Sequence, residues 1–292
     1  MARIKIAFII NPHSGTNDKH DLPDLIKANL DKDKFDITTV FTQYAGHGRE
    51  LAAQYATDGF DAVVACGGDG TVNEVASSLT DTPVAFGIIP FGSGNGLARH
   101  LHIALTPVKA IRQINNFHVQ KMDYGVENGR KFFCTCGTGF DAHVSFKFTE
   151  QGTRGLWTYL KVIVREYWKY EPLVYTIVQN GEERKEKAFV VTFANACQYG
   201  NDGFIAPQAS TSDGLLDISV IHPFHFWSVP RLAFDLLTQR FDRNPHVSIT
   251  RAASASVIRP DEGPFHFDGD PVKEAARIDV HIVPGGLNVI AD

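Results

Sequence analysis

The sequence lacks an excess of positive charge, a cysteine framework and a long apolar run. Its formal net charge is −5 over 292 residues, which argues against binding nucleic acid through bulk positive charge. The four cysteines, Cys66, Cys134, Cys136 and Cys197, form no Cys-x-x-Cys pair, so we expect free thiols in a reducing compartment. No stretch approaches the roughly 18 apolar residues of a membrane span. We therefore expect a cytoplasmic protein with no nucleic-acid partner.

Three polar, glycine-containing loops follow predicted strands in the first hundred residues. They are Asn-Pro-His-Ser-Gly at 11–15, Gly-Gly-Asp-Gly-Thr at 67–71 and Gly-Ser-Gly-Asn at 92–95. Glycines let backbone N–H groups approach a ligand, and a helix that begins in such a loop favours an anion at its N terminus. Each loop alone could be an ordinary turn. Together, at the carboxyl edge of a parallel sheet, they predict a phosphate-binding site.

Asp69 stands in the middle of the 67–71 loop. A carboxylate would repel a bound phosphate unless a divalent cation lies between the two. The loop therefore predicts a nucleotide phosphate site with Mg²⁺, in which Asp69 orients the metal. The alternative is a plain turn between a strand and a helix.

The first 115 residues alternate predicted strands with predicted helices. Such alternation predicts right-handed βαβ units and a parallel sheet that is covered on both faces. The predicted strands cover residues 4–10, 35–41, 61–65 and 84–89. The predicted helices cover residues 22–30, 48–55, 71–79 and 108–116.

After about residue 118 the sequence predicts an antiparallel β-sandwich. Asn128-Gly129 and Asn180-Gly181 are typical hairpin turns. They predict pairing of strands 121–126 with 131–136 and 173–179 with 187–194. Further strands are predicted at 215–221, 247–249, 254–258, 277–283 and 287–291. Two helices are predicted at 155–170 and 224–240, each with an apolar stripe that packs in the core or contacts lipid.

The motifs as a set resemble the diacylglycerol kinase catalytic-domain superfamily, which includes bacterial lipid kinases and sphingosine kinases. Three further motifs follow in the family's order: Gly-Thr-Gly-Phe-Asp at 137–141, Ser-Asp-Gly-Leu-Leu-Asp at 212–217 and Phe-Asp-Gly-Asp at 267–270. The resemblance covers nearly the whole chain, and the set is highly specific although no single motif is.

The resemblance implies two domains with the active site in the cleft between them. Residues 1–120, joined by a returning segment 285–292, would form an α/β nucleotide domain with a parallel sheet similar to those of NAD kinase and phosphofructokinase. Residues 121–284 would form a β-rich sandwich that binds the lipid substrate.

The implied activity is ATP-dependent, Mg²⁺-dependent transfer of the γ-phosphate to a lipid hydroxyl, of diacylglycerol or a long-chain base. Two alternatives stay open. One is NAD kinase, which shares a Gly-Gly-Asp-Gly loop, and the other is a non-catalytic regulator that binds nucleotide or lipid. A lipid acceptor implies reversible, peripheral membrane association, and many members of the family form homodimers.

The resemblance also implies roles for individual residues. Asp268 is the implied base for the lipid hydroxyl, and the alternative is a hairpin turn. Asp270, where the family more often has Glu, is an implied contact to nucleotide or Mg²⁺. The implied ATP-binding set is Asn11, Ser14, Gly15, Thr42, Gly67, Gly68, Asp69, Gly70, Thr71, Gly92, Ser93, Gly94, Asn95 and Asp270.

Asp213 and Leu215 are the implied ligands of a second, structural Mg²⁺, with a surface turn as the alternative. The chain also departs from the family at two places. Thr16 stands where some members have lysine, and Lys19 lies close by but displaced, so we assign it no catalytic role. The Gly-Ser-Gly-Asn-Gly loop is more similar to the sphingosine-kinase version than to bacterial diacylglycerol kinases, so the acceptor lipid stays open.

Overall fold

The computed structural model describes residues 3–15, 19–150 and 156–291, and side chains within these ranges except those of 148–150 and 156–160. Thr16 and the first residue of the helix predicted at 155–170 lie outside the described residues. The chain divides into two units. Met1–Tyr124 and Pro284–Asp292 form unit 1, and Gly125–Val283 form unit 2. None of the described helices is long and apolar enough to cross a membrane.

Unit 1 is built on a parallel sheet with the strand order β2-β1-β3-β4. The strands are β1 (Ile4–Ile10), β2 (Phe35–Phe41), β3 (Ala62–Gly67) and β4 (Ala85–Pro90). The helices are α1 (Leu22–Asn29), α2 (His47–Thr57), α3 (Asp69–Leu79), α4 (Gly96–His100) and α5 (Pro107–Ile114). Every residue of β3 and β4 is buried, as expected for parallel strands covered on both faces.

Unit 2 consists of two antiparallel β layers, joined to unit 1 through the strand β5 (Val119–Glu127) and the last strand. Its strands are β6 (Arg130–Phe132), β7 (Thr135–Gly139), β8 (Leu173–Gln179), β9 (Glu182–Ala188), β10 (Val190–Ala194), β11 (Leu216–Ile221), β12 (Val247–Ala252), β13 (Ser254–Ile258), β14 (Gly263–Phe267), β15 (Asp270–Glu274) and β16 (Arg277–Ile290). Its α-helices are α6 (Phe140–Glu150), α7 (Leu156–Tyr167) and α8 (Val229–Leu237), with 3-10 turns at Phe226–Ser228 and Phe241–Arg243.

One layer of unit 2 has the strand order β12-β11-β10-β7-β14-β15, and the other contains β16-β13-β8-β9. Side chains from both layers form one buried apolar cluster, which includes Tyr175, Ile177, Phe193, Ile218, Phe265 and Ile278. The predicted α/β domain and β-sandwich are therefore both present.

The polypeptide returns to unit 1 through β16. The first half of this strand pairs with β13 in unit 2, and Asn288 and Val289 pair in parallel with β4. The sequence predicted two separate strands at 277–283 and 287–291, but the structure has one. Pro284, Gly285 and Gly286 do not interrupt it, because the Gly285 N–H donates to Asp123 Oδ1 at 2.7 Å and the Gly286 carbonyl accepts the Asp81 N–H at 2.7 Å.

Both hairpin turns form, but the strands that they join differ from the prediction. The two-residue turn Asn180-Gly181 pairs Gln179 with Glu182, so the partner of β8 is 182–188 and not 187–194. The strand β9 was not predicted because it is exposed and charged. Such residues are typical of an edge strand and give no apolar pattern. The Asn128-Gly129 hairpin pairs only 125–127 with 130–132, and β7 belongs to the other layer.

The helix predicted at 224–240 is shorter in the structure. Pro230 lies in the first turn of α8, where its missing N–H costs nothing, and the helix ends at Leu237 before Gln239, whose φ is 58°. The sequence also missed α6 and the strands β14 and β15, although a hairpin turn at Asp268-Gly269 was considered as an alternative.

Glu127, at the end of β5, is fully buried, and neither carboxylate oxygen has a hydrogen-bond partner among the described residues. Burial, helped by the charge of Glu274 and opposed by Arg130 and Arg259, raises the pKa of Glu127 to about 8. The folded state therefore holds a proton that the unfolded chain releases near its ordinary pKa of 4.5.

This proton makes stability fall as the pH rises from about 5 to 8, because the native state binds more protons than the unfolded state there. We expect Glu127→Gln to remove that loss, so that the variant gains roughly 2–4 kcal/mol on the wild type across this range. Urea unfolding at pH 5.5, 7 and 8 measures the difference in the free energy of unfolding between the two proteins. The contributions of the other titrating groups are the same in both and cancel in this difference. If the free energy of unfolding changes with pH in the same way in both proteins, the pKa of Glu127 is not raised by burial.

Candidate functional site

The three predicted loops of unit 1 lie together at the carboxyl edge of its sheet. They follow β1, β3 and β4, which are neighbours and run parallel. The Asn11 N–H donates to the Cys66 carbonyl at 3.0 Å, and Asn11 Nδ2 donates to Thr71 Oγ1 at 2.9 Å. The first loop is thereby fixed to the end of β3 and the first turn of α3.

Asp69 joins the second loop to the third. Its Oδ2 accepts the Asn95 N–H, and its Oδ1 accepts the Gly96 N–H, both at 3.0 Å. Gly96 begins α4, so the carboxylate caps that helix. The Asn95 side chain closes the turn before it, accepting the Gly92 N–H and donating to the Gly92 carbonyl, both at 2.8 Å.

Two glycines allow these loops to pack backbone against backbone. Gly15 has φ 65°, and a Cβ there would lie 2.1 Å from the Phe91 carbonyl oxygen. A Cβ on Gly92 would lie 2.9 Å from the Gly68 Cα. The backbone at the sheet edge therefore tolerates no side chain at these two positions.

The remaining unit 1 residues of the predicted nucleotide set lie on the same three loops or beside them, whereas Asp270 lies in unit 2 at the start of β15. Ser14 Oγ donates to the Asn11 carbonyl at 3.1 Å, and the Gly94 carbonyl accepts Arg99 Nε at 3.1 Å. Thr42 follows β2, is buried, and donates its N–H to the Ile10 carbonyl at 2.8 Å. Gly67, Gly68, Gly70 and Ser93 complete the set within the second and third loops.

Sequence reasoning missed two residues that build this edge. Lys19, which we had set aside, is 2 % exposed. Its Nζ donates to the Ser14 carbonyl and lies 4.9 Å from the centroid of the Phe91 ring, so one ammonium holds the first and third loops. Glu74, on α3, accepts the N–H groups of Gly46 and Gly48 at 2.8 and 3.2 Å.

The predicted base, Asp268, lies in unit 2 on the two-residue turn between β14 and β15. Its φ is 45° and that of Gly269 is 95°, so the hairpin turn that we considered as the alternative is present. The carboxylate accepts the N–H groups of Cys134 and Thr135 at Oδ1 and of Phe133 at Oδ2, at 2.8, 3.1 and 3.1 Å. Its role as a base stays a prediction, as does the contact of the exposed Asp270 with nucleotide or Mg²⁺.

Asp141 in unit 2 belongs to the Gly-Thr-Gly-Phe-Asp motif at 137–141, but the sequence indicated no role for it. Asp141 Oδ2 accepts the Tyr199 hydroxyl at 2.8 Å, and His266 Nε2 lies 3.1 Å from the same oxygen. The Tyr199 hydroxyl lies 2.6 Å from Thr192 Oγ1. These residues come from α6, β10, β14 and the segment after β10, so only the fold brings them together.

Asp213 and Leu215, the predicted ligands of a structural Mg²⁺, form a turn in the structure. Asp213 Oδ1 accepts the Leu215 N–H at 3.1 Å, which is the geometry of a turn. Asp217 is buried against Arg251 at 3.1 Å, and burial and the charge of Asp213 raise the pKa of Asp217 against the effect of Arg251. No group of three or more His, Cys, Asp or Glu side chains among the described residues is arranged to hold a metal ion. A second Mg²⁺ stays a prediction.

The donor set around Asp69 fits Mg²⁺ better. Mg²⁺ is commonly held by one or two carboxylates together with substrate phosphates and water. Each carboxylate oxygen has two lone pairs, so accepting a backbone N–H is compatible with binding a hydrated metal.

Comparisons with known proteins agree with this arrangement over both units. A family model for the diacylglycerol kinase catalytic domain matches residues 5–126, and a model for the YegS C-terminal NAD kinase beta sandwich-like domain matches residues 134–291. A diacylglycerol kinase from Staphylococcus saprophyticus is 33 % identical over 281 residues, covering 92 % of this chain and 89 % of the relative. One from Mycobacterium tuberculosis is 29 % identical over 294 residues, covering 98 % and 94 %.

A crystal structure of a diacylglycerol kinase from Bacillus anthracis has the same fold. It matches with a TM-score of 0.77 at 20 % identity, covering 99 % of this chain and 97 % of that one. The two family models together match most of the chain, a diacylglycerol kinase is 33 % identical over 281 residues, and the chain belongs to the diacylglycerol kinase family.

Proposed function

We propose that this protein is an ATP-dependent lipid kinase that transfers the γ-phosphate to a hydroxyl of diacylglycerol or a long-chain base. Unit 1 binds the nucleotide and unit 2 binds the lipid. The observation that carries the proposal is the coupling of two glycine-rich loops through Asp69, at the sheet edge of a chain that belongs to this family.

Unit 1 supplies the groups for a triphosphate. Helix α3 begins at Asp69, and its first N–H groups have no intrahelical acceptor, so they favour a bound anion. Asn11 and Thr71 hold the first loop against this helix end. The buried charge of Lys19 adds positive potential to the same edge. Mg²⁺, when bound at Asp69, would neutralise charge on the phosphates.

Unit 2 supplies the group for the acceptor. In the proposed reaction the lipid hydroxyl oxygen bonds to the γ-phosphorus, the bond from that phosphorus to the bridging oxygen of ADP breaks, and Asp268 accepts the hydroxyl proton. Three N–H groups keep the carboxylate fixed. In a loose transition state the proton leaves late, so a fixed orientation matters more than strong basicity.

NAD kinase is the second candidate, because the model that matches unit 2 describes a sandwich similar to that of NAD kinase. The catalytic-domain match and the named relatives favour a lipid acceptor. A non-catalytic regulator is disfavoured by the presence of both Asp69 and Asp268. A lipid acceptor further implies a cytoplasmic protein that associates reversibly with a membrane surface.

Incubation with γ-labelled ATP and Mg²⁺ tests the acceptor class. We expect label in diacylglycerol or sphingosine when both are offered beside monoacylglycerol, phosphatidylglycerol, undecaprenol and NAD. Label in NAD alone would select the second candidate. Binding of ATP without label in any acceptor would select the regulator.

Asp69 tests the coupling of the loops. Asp69→Asn can accept at only one of its two positions, so we expect hydrogen exchange at the Asn95 and Gly96 amides to accelerate about tenfold. Asp61→Asn is the matched control, because Asp61 accepts one backbone N–H, from Lys5 at 2.8 Å, at the opposite end of the sheet. Unchanged exchange in Asp69→Asn would contradict the link.

Turnover measures the catalytic importance of the same residue. We expect Asp69→Ala to lower turnover roughly 10²-fold or more, as is usual for such groups. Near-wild-type turnover in this variant would remove Asp69 from the site.

Asp268 requires a test that separates catalysis from stability, because its carboxylate also closes a turn. We expect Asp268→Asn to lower kcat by roughly 10²-fold with little change in the KM for ATP. Glu262→Gln, which removes an exposed carboxylate just before β14 that has no predicted role in the site, is the control variant. If Asp268→Asn lowers the unfolding midpoint while kcat stays near that of the wild type, the carboxylate is structural and the base lies elsewhere.

A further inference from the structure

Unit 2 exposes a group of aromatic side chains that the proposed chemistry does not use. Trp168 is 67 % exposed, Phe226 40 % and Trp227 88 %. The Phe226 ring lies between the two indole rings. Its centroid is 5.2 Å from that of Trp168 and 6.1 Å from that of Trp227. We call these three residues the aromatic ridge.

The helices beside the ridge continue its apolar surface. On α8 the carboxylate of Asp235 is buried and accepts Asn244 Nδ2 at 2.6 Å, while Phe234 and Leu237 are each 56 % exposed. On α7 Val164, one turn before Trp168, is 55 % exposed. Helix α8 therefore exposes large apolar side chains and buries a charged one, the reverse of an ordinary surface helix.

The aromatic ridge packs against Tyr167 and Phe224, which lie beneath it. The Tyr167 hydroxyl donates to the Phe224 carbonyl at 3.0 Å, and the Tyr167 ring lies 5.8 Å from both the Phe224 and Phe226 rings. Tyr167 and Phe224 pack in turn against a buried cluster that includes Phe140 and Phe189. Phe226 and Trp168 therefore rest on packed side chains, and Trp227 extends from Phe226 into solvent.

The exposed charged side chains on the two helices beside the ridge have one sign. The exposed charged side chains described on α7 and α8 are Lys161, Arg165 and Arg231, all basic. The carboxylates of these segments are buried beneath them, with Glu166 2.9 Å from Arg165 and Asp235 3.6 Å from Arg231. The outer partner of each pair is the cation, although the whole chain carries a net charge of −5.

The exposed apolar rings and the basic side chains beside them distinguish between two binding partners, a second copy of this chain and a membrane surface. In a symmetric dimer the same patch meets itself, so the basic side chains would face their own copies. A membrane with anionic lipids instead attracts the basic side chains, and its headgroup region accepts tryptophan, which has an apolar ring and a polar N–H.

We propose that the aromatic ridge, with Phe234 and Leu237, docks unit 2 onto an anionic membrane surface. The rings and the apolar face of α8 enter the boundary between headgroups and acyl chains, and the basic side chains lie at the headgroups. The proposal rests on the proposed function, because a lipid kinase must reach its acceptor at such a surface.

Co-sedimentation with vesicles of phosphatidylcholine and phosphatidylglycerol tests the surface. We expect the wild type to bind, binding to persist in part in 0.5 M salt, and the Trp168→Ala/Trp227→Ala variant to partition about tenfold less. Val174→Ala is the matched control, since Val174 is 52 % exposed on β8 of the same unit, and it should bind as the wild type does. Equal binding by the double variant and the wild type would overturn the proposal.

A soluble acceptor separates this proposal from the kinase assignment. The Trp168→Ala/Trp227→Ala variant should phosphorylate monomeric dihexanoylglycerol at the wild-type rate while losing activity on vesicle-bound diacylglycerol. A wild type that phosphorylates the soluble acceptor but does not sediment with vesicles overturns the ridge and leaves the kinase intact. No phosphorylation of any acceptor, with vesicle binding retained, overturns the kinase and leaves the docking surface. A wild-type dimer that the double variant converts to monomer, without a change in vesicle binding, assigns the ridge to a self-interface.

Discussion

The Asp69 carboxylate accepts the N–H groups of Asn95 and Gly96, and the organisation of unit 1 depends on that pair of hydrogen bonds. The bonds require that β3 and β4 lie side by side and parallel, because only then do the loops after them leave the same edge. They also require loops without side chains at the point of closest approach, where Gly68 and Gly92 meet. A sequence that meets both conditions places helix starts and backbone amides around one point.

Sequence reasoning was most successful where the constraint is local. The strands β1, β3 and β4 are short apolar runs followed within two residues by glycine or asparagine, and these patterns predict a buried strand and its exit without knowledge of the rest of the chain. Lys19 and Glu74 could not be found in this way. Lys19 acts on the Ser14 carbonyl and the Phe91 ring, and Glu74 acts on two amides more than twenty residues earlier. Nothing in the residues around either side chain indicates those contacts.

Unit 2 shows a different limit. Its core strands β8, β10, β11 and β13 alternate or run apolar and were predicted, whereas the core strand β14 was missed. The strand β9 is charged and exposed, and only its pairing with β8 makes it a strand. The cluster of Asp141, Tyr199 and His266 has the same character, since its members come from separate elements. The β16 strand was divided in the prediction because Pro284-Gly285-Gly286 is typical of a turn. In the structure Gly285 has φ 59°, and hydrogen bonds to the Asp81 N–H and to Asp123 Oδ1 hold this segment so that the strand continues through it.

Asp69 and Asp268 share a physical property that bears on how the proposed reaction is catalysed. Both carboxylates are held by backbone N–H groups, two for Asp69 and three for Asp268. A carboxylate held in this way keeps its orientation before substrate arrives, so little reorganisation remains for the transition state. The hairpin turn and the base were alternatives when only the spacing of Asp268 was considered. In the folded chain they are compatible, because the turn that positions the carboxylate is what would make a weak base effective. The donors that hold it are the amides of 133–135, at the start of β7, so the rigidity of the proposed base derives from the same sandwich that forms the core of unit 2.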